Sequence, residues 1–322
     1  MSDRDLRYSG QQLARLLSRI EAEDPVALGA AVRAEAESGG TSHVVGLTGP
    51  PGVGKSTMTG ALIQRARERG LTVAVLAVDP SSARTGGAVL GDRLRMVGSS
   101  PDPGVFIRSM ASRGRLGGLS TTAPAAVAAL AGARYDLVFV ETVGAGQNEV
   151  DLAEVVDTSV VLAAPGMGDA VQALKAGLLE IGDLFVVNKA DHGGAGQTES
   201  QLRAMLAAGP QEPAGWRPLV MRTVAVRGEG IDQLLDALDA HGAWMTGTDA
   251  RSRRRADRLL QVLRGVALRR VLERLADGDV EQATNRLCEQ VAFGELGLDE
   301  AADALLELVV GKLVPNAWAD TS

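Results

Sequence analysis

The run Gly49-Pro50-Pro51-Gly52-Val53-Gly54-Lys55-Ser56-Thr57 decides how the rest of the chain is read. It fits the pattern G-x-x-x-x-G-K-[ST], in which glycines keep side chains clear so that consecutive backbone N–H groups face phosphate oxygens. Lys55 is placed to reach the β- and γ-phosphates of a nucleotide, and the Ser56 hydroxyl to sit on Mg²⁺. The flanks agree with this reading. His43-Val44-Val45-Gly46-Leu47-Thr48 reads as a buried strand and Met58 to Arg69 as a helix, whose positive N-terminal end would face the same anion.

Composition bounds the rest. Of 322 residues, 45% are hydrophobic, enough for a sizeable core and too many for a disordered chain. A formal net charge of −7 argues against a nucleic-acid partner. The single cysteine, Cys288, rules out an intrachain disulfide and suits a reducing compartment. His43, His192 and His241 are far apart in sequence and offer no ligand set of metal-site spacing. The first residues, Met1-Ser2-Asp3-Arg4-Asp5-Leu6-Arg7, are charged and carry no signal core. No apolar run approaches the roughly 20 residues that span a bilayer. A cytoplasmic protein with no membrane partner is expected.

Three regions follow from the patterning. Residues 1–42 read as an amphipathic helical extension: Leu13, Leu16, Leu17 and Ile20 recur at helical spacing, and Asp24-Pro25 restarts a second helix. Residues 43–245 alternate strands with helices. The strands are Val44–Thr48, Thr72–Val78, Val105–Arg108, Leu137–Glu141, Ser159–Ala164, Phe185–Asn188 and Leu219–Thr223. Continuous apolar runs such as Val73 to Val78 indicate strands covered on both faces. The fold class is therefore α/β: a mainly parallel sheet with helices on both faces, its ligands gathered at the carboxyl ends of the strands. Residues 246–322 read as a helical arm. Leu259, Leu260, Leu263, Val266, Ala267, Val271 and Leu275 form an apolar stripe on it, expected to pack on its own domain and also to pair two copies as a homodimer.

Every further polar motif closes a strand. Asn188-Lys189-Ala190-Asp191 fits N-K-x-D. The Asp carboxylate can accept hydrogen bonds from N1 and the exocyclic amine of guanine, a donor pair that adenine does not offer, so a wrong base leaves polar groups unpaired. That selects GTP over ATP. Thr223-Val224-Ala225 is placed to offer a backbone N–H to the guanine carbonyl. In Glu141-Thr142-Val143-Gly144, the acid is suited to hold Mg²⁺ directly or through water, and Gly144 to let a backbone N–H approach the γ-phosphate. Asp79, closing the second strand, is a further metal candidate, and Asp92 in the polar segment beyond it would hold the metal or orient water. A third loop, Pro165-Gly166-Met167-Gly168-Asp169, leads on to Gln172 and Lys175.

Together these runs resemble the MeaB/ArgK family of GTPase chaperones of adenosylcobalamin-dependent methylmalonyl-CoA mutase. The resemblance is carried by Gly49–Thr57, Val78–Met96, Ile107–Ser120, Glu141–Glu149, Pro165–Glu180 and Asn188–Asp191, in order, over about residues 40–315. It implies a P-loop GTPase fold with Lys55, Ser56, Asp79, Asp92 and Glu141 at the phosphates and Mg²⁺, and Asn188, Lys189 and Asp191 at the guanine. The segment Pro165 to Lys175 would be a switch coupling nucleotide state to the mutase. It also implies a homodimer with a helical C-terminal arm. Val224 stands where many members have Ser. No cobalamin-binding D-x-H-x-x-G pattern is present, so the cofactor would be held by the partner.

Phosphoryl transfer to water is mostly positioning and charge neutralisation. Asp92 and Gln147 are the candidates for orienting the water, and Lys175, Arg108 or Arg113 for supplying a cation when a partner docks. Two other functions are weighed against the chaperone: a nickel metallochaperone GTPase, which calls for a Cys/His motif this sequence lacks, and an ATP-dependent kinase of an amino-acid transport protein.

Overall fold

Among the described residues, seven apolar runs become one parallel sheet: β1 (His43–Thr48), β2 (Val73–Pro80), β3 (Val105–Ser112), β4 (Leu137–Thr142), β5 (Thr158–Ala163), β6 (Leu184–Val187) and β7 (Leu219–Arg222). The computed structural model describes residues 6–80, 102–112, 122–142, 148–166, 178–208 and 215–313. Strand order is β3-β2-β4-β1-β5-β6-β7, and every neighbouring pair is parallel. Strand ends fall within two residues of the sequence reading except in β3, which runs four residues further, to Ser112. That extra length, Ser109-Met110-Ala111-Ser112, mixes polar and apolar residues, and among the described residues β3 is an edge strand paired with β2 along its whole length, where hydropathy marks a strand end poorly.

Alternation in the strands separates two faces. Val45 and Leu47 of β1, Val75 of β2, Phe139 of β4 and Leu162 of β5 lie under α3 (Lys55–Glu68) and the helix Ile231–Gly247. On the other face, a Cβ on Gly46 would lie about 3.0 Å from Leu152, which belongs to the helix Asn148–Val155. Val161, Ala163, Phe185 and Val187 meet Leu178, Ala195 and Leu202 there.

The helix α4 (Thr122–Gly132) is buried along all 11 residues. It packs on β1, β2 and β4 and is covered by α1 (Gly10–Glu21) and α2 (Pro25–Glu37). Its Ala-rich sequence permits this. A Cβ on Gly132 would come within 2.6 Å of the α2 backbone at Ala34, so the two helices meet at a glycine. α1 starts with a capping box between Ser9 and Gln12, and α2 with Asp24 capping the Val26 and Ala27 amides ahead of Pro25. Leu13, Leu17 and Ile20 are buried as the spacing predicts, whereas Leu16 is half-buried. The numbering of the remaining helices continues as α5 (Asn148–Val155), α6 (Leu178–Ile181), α7 (Ala195–Ala208), α8 (Ile231–Gly247), α9 (Ala250–Leu275), α10 (Gly278–Ala292) and α11 (Leu298–Leu313).

Two compact units divide the chain, one ending at Val262 and the other beginning at Leu263. In the first, the start of α9 is anchored by cations rather than by its apolar stripe. Arg258 is among the largest fully buried side chains, whereas Leu259 and Leu260 are exposed. In the second unit, Val280, Ala301 and Val309 are the buried apolar residues among those described, and Leu263, Leu268, Leu272, Phe293, Leu298 and Leu306 stand exposed. No helix among the described residues is long and apolar enough to cross a membrane.

Candidate functional site

The phosphate loop leaves β1 at its carboxyl end and enters α3 at Lys55. Two of its glycines are forced by contact. Gly49 has φ 139° and a Cβ there would lie 2.4 Å from the Leu162 carbonyl oxygen; Gly54 has φ 96° and a Cβ there would lie 2.7 Å from Asn188 Nδ2. Both angles fall in the region that side chains disfavour. Val53 is buried in the core while Pro51, Gly52 and Thr57 are exposed, so the loop is pinned at its middle and open at its rim. The Lys55 ammonium, 8% exposed, donates to the carbonyls of Gly49 at 2.6 Å and Pro50 at 3.2 Å.

Beside the loop, β4 delivers Glu141, which is 4% exposed. Its Oε1 accepts from Ser56 Oγ at 2.5 Å and its Oε2 from Thr59 Oγ1 at 3.0 Å. A hydroxyl and a carboxylate in contact at a strand end are hard oxygen donors, the type Mg²⁺ takes, so the residues present fit the metal. Asp79 lies on the same edge, two residues beyond Ala77, which is in register with Glu141. Asp92, Gly144, Gln147, Arg113 and Lys175 lie outside the described residues. Arg108, read from sequence as a possible phosphate-neutralising cation, is placed elsewhere: it lies within β3 and bonds Ser18 and Glu21 of α1.

The N-K-x-D run is bolted to the phosphate loop. Asn188, 2% exposed, donates from Nδ2 to the Val53 carbonyl at 2.8 Å. Its Oδ1 accepts from Thr223 Oγ1 at 3.2 Å and from the Ala225 amide at 3.1 Å. Lys189, at φ 57°, donates to the Gly52 carbonyl at 2.8 Å. The amides of Thr223, Val224 and Ala225 are engaged by Val187 O, Glu229 O and Asn188 Oδ1, so that segment braces Asn188 from behind. Asp191 is left at the edge, its Oδ2 3.0 Å from Arg227 Nη2, on the 3₁₀ turn Ala225–Arg227.

Two residues of this constellation escaped the sequence reading. Thr59 stands three residues after Ser56, hence on the same helix face, and that spacing was the available signal. Arg227 belongs to a turn after β7 whose fold places it beside Asp191, and no local pattern announces it.

Comparison with known proteins agrees with this geometry. The family model described as methylmalonyl Co-A mutase-associated GTPase MeaB matches residues 13–279. A Pyrococcus horikoshii protein named as a GTPase is 43% identical over 279 residues, covering 85% of this chain and 86% of its own length. The GTPase ArgK of Escherichia coli is 40% identical over 202 residues, 62% of this chain and 61% of that one. The mouse mitochondrial methylmalonic aciduria type A homolog is 40% identical over 197 residues, 60% of this chain and 48% of that one. Among solved structures, a LAO/AO transport system kinase covers 93% of this chain and 98% of its own at a TM-score of 0.62 and 24% identity, a likeness of fold. The chain is a GTPase, and it belongs to the methylmalonyl Co-A mutase-associated GTPases of the MeaB family.

Proposed function

We propose that this GTPase times the loading of adenosylcobalamin onto methylmalonyl-CoA mutase, or a related acyl-CoA mutase, and protects that enzyme from inactivation. The observation that carries this reading is the pair of bonds from Asn188 to Val53 and from Lys189 to Gly52. They make the phosphate loop and the base motif one body, so that base recognition and phosphate state are read together, as a timer requires. The choice of client is supported by the family description and by the methylmalonic aciduria relative. Cobalamin itself stays with the client, and the chaperone works in the cytoplasm.

At the site, Lys55 would leave the Gly49 and Pro50 carbonyls for the more strongly accepting phosphate oxygens. Ser56 and Glu141 would hold Mg²⁺, with Asp79 and Asp92 nearby. Bound Mg²⁺ would neutralise charge on the β- and γ-phosphate oxygens. Asp191 would accept from the guanine N1 and amine, while Gly144 senses the γ-phosphate and Lys175 reports to the client. Leu263, Leu268, Leu272 and Leu306 of the second unit stand exposed; a second copy would cover apolar side chains of this kind, giving a homodimer.

The test is GTP hydrolysis and binding measured with and without purified adenosylcobalamin-dependent mutases. Stimulation by, and binding to, one of them is expected. Absence of both with every mutase tried would remove the chaperone reading and leave the GTPase standing.

A further inference from the structure

We infer that Thr59 is a positioning residue for the metal: its hydroxyl holds the Glu141 carboxylate at the angle that presents Oε1 to Mg²⁺. The inference rests on the proposed role of Glu141 at the metal and goes beyond it to a residue outside the phosphate-loop pattern. Its basis is geometric. Ser56 and Thr59 lie three apart on α3 and face the same way. Their hydroxyls reach separate oxygens of one carboxylate, Ser56 to Oε1 at 2.5 Å and Thr59 to Oε2 at 3.0 Å. A glutamate has one more rotatable bond than an aspartate. Hydroxyls on both oxygens fix the plane of the carboxylate more closely than a hydroxyl on one oxygen does.

Thr59 has a second acceptor in reach, the Lys55 carbonyl at 3.1 Å, the ordinary back-bond of a helical threonine. One hydroxyl carries one proton, and an ionised carboxylate is the stronger acceptor. Thr59 is also fully buried, so water does not compete for that proton. The same residue in a merely structural role would stabilise α3 and leave the metal indifferent.

The experiment titrates Mg²⁺ against protein loaded with a fluorescent GDP analogue and reads the analogue's release rate. Thr59→Val, which keeps the shape and removes the hydroxyl, is expected to raise the Mg²⁺ concentration for half-maximal slowing by about 10-fold or more, the scale on which groups behind a metal ligand act. Thr59→Ser should restore it, and analogue affinity in EDTA should stay within about twofold of wild type. Thr59→Ala serves as the second variant if the valine does not fold. Glu141→Gln is run beside them. A shift with Glu141→Gln but none with the Thr59 variants would overturn the inference alone. No shift with Glu141→Gln would overturn the metal role of Glu141 itself.

Discussion

At the carboxyl edge of the sheet, charged groups are held at the mouth of an open loop; at the amino edge, charged groups are sealed in. Lys55 and Glu141 are nearly buried, yet Pro51, Gly52 and Thr57 around them are exposed, so their present partners can be exchanged for a ligand. Across the sheet, Arg258 is 1% exposed; it bonds Glu35 Oε1 at 2.7 Å, the Val155 carbonyl, and Asp157 Oδ1 at 3.4 Å. Asp157 turns its other oxygen to the Val44 amide at 2.9 Å. Next to it the Thr158 hydroxyl lies 2.6 Å from His43 Nε2 and 2.6 Å from His241 Nδ1. With one proton on that hydroxyl, one ring nitrogen accepts and the other donates, which two neutral imidazoles satisfy. The same polar chemistry thus performs opposite tasks: adaptable contacts where the ligand enters, fixed ones where α2, α8 and α9 join the strands.

The amino edge should break hardest. Burial pushes the Asp157 carboxyl up, but Arg258 and the Val44 amide hold it below the usual carboxylate range. Arg258→Ala removes the principal cation and leaves Glu35 and Asp157 to face one another. Loss of one partner of a buried pair costs about 3–5 kcal/mol, and urea denaturation should show it. Hydrolysis per folded molecule should stay near wild type. A loss below about 1 kcal/mol, within the range of exposed pairs, would mean that water reaches the cluster.

Lys55→Ala is the mirror experiment. Removing one preorganised donor from a charge-stabilising site costs about 100- to 1,000-fold in rate, and single-turnover GTP hydrolysis should fall by that much. Stability should change little, since the Lys55 bonds to the Gly49 and Pro50 carbonyls tie it to the loop itself. Equal damage to stability and rate would erase the distinction between the edges.

The carboxyl edge was far more legible in the sequence than the amino edge, for a physical reason. Phosphate binding needs consecutive backbone amides and a following helix, so Gly49–Thr57 is local and readable. Asn188–Asp191 is likewise local, although the structure gives Asn188 a bracing task that the motif did not announce. By contrast, Arg258 meets Glu35 across 223 positions and Asp157 across 101. Its neighbours Arg251, Arg253, Arg254 and Arg255 make it look like one more solvated charge. The stripe from Leu259 to Leu275 is expected from its spacing to pack on its own domain and to pair two copies, and in the single chain Leu259, Leu260 and Leu263 are exposed. Helical period marks a face; it does not say what covers it.

Acid should sharpen the contrast next. Burial pushes His43 down to about 4 and His241 down to about 3, so the folded protein refuses protons that the unfolded chain takes up near pH 6.5. Their stabilisation is complete above pH 6.5 and is lost as pH falls toward those values. Asp183, whose Oδ1 is 3.6 Å from His241 Nε2 and 3.8 Å from Arg254, is pushed up to about 6 by burial. Its contribution has the opposite sign: present below pH 3.8 and lost as pH rises through 6. Between about pH 4 and 6 two protons stand against one, and stability should fall by about 1.4 kcal/mol per unit of acidification. Trp216 and Trp244, with ring centroids 4.7 and 5.4 Å from that of His241, report unfolding by fluorescence. His241→Gln should nearly flatten the slope. An unchanged slope would show that His241 is charged or hydrated in the folded state.

The smallest effect is expected at the base end of the carboxyl edge. Arg227 is 57% exposed and pairs with Asp191 at 3.0 Å, and exposed pairs contribute about 0–1 kcal/mol. Arg227→Ala should therefore change GDP affinity by no more than about fivefold, and the difference should shrink as salt is raised, because screening acts on exposed charges. Asp191→Asn, which alters the acceptor itself, should reduce the preference for GDP over ADP much further. The order of these two effects separates a residue that reads the base from one that steadies the reader. If Arg227→Ala proved as damaging as Asp191→Asn, and remained so at high salt, the guanidinium would have to touch the nucleotide directly, and the open edge would be more tightly built than its exposure implies.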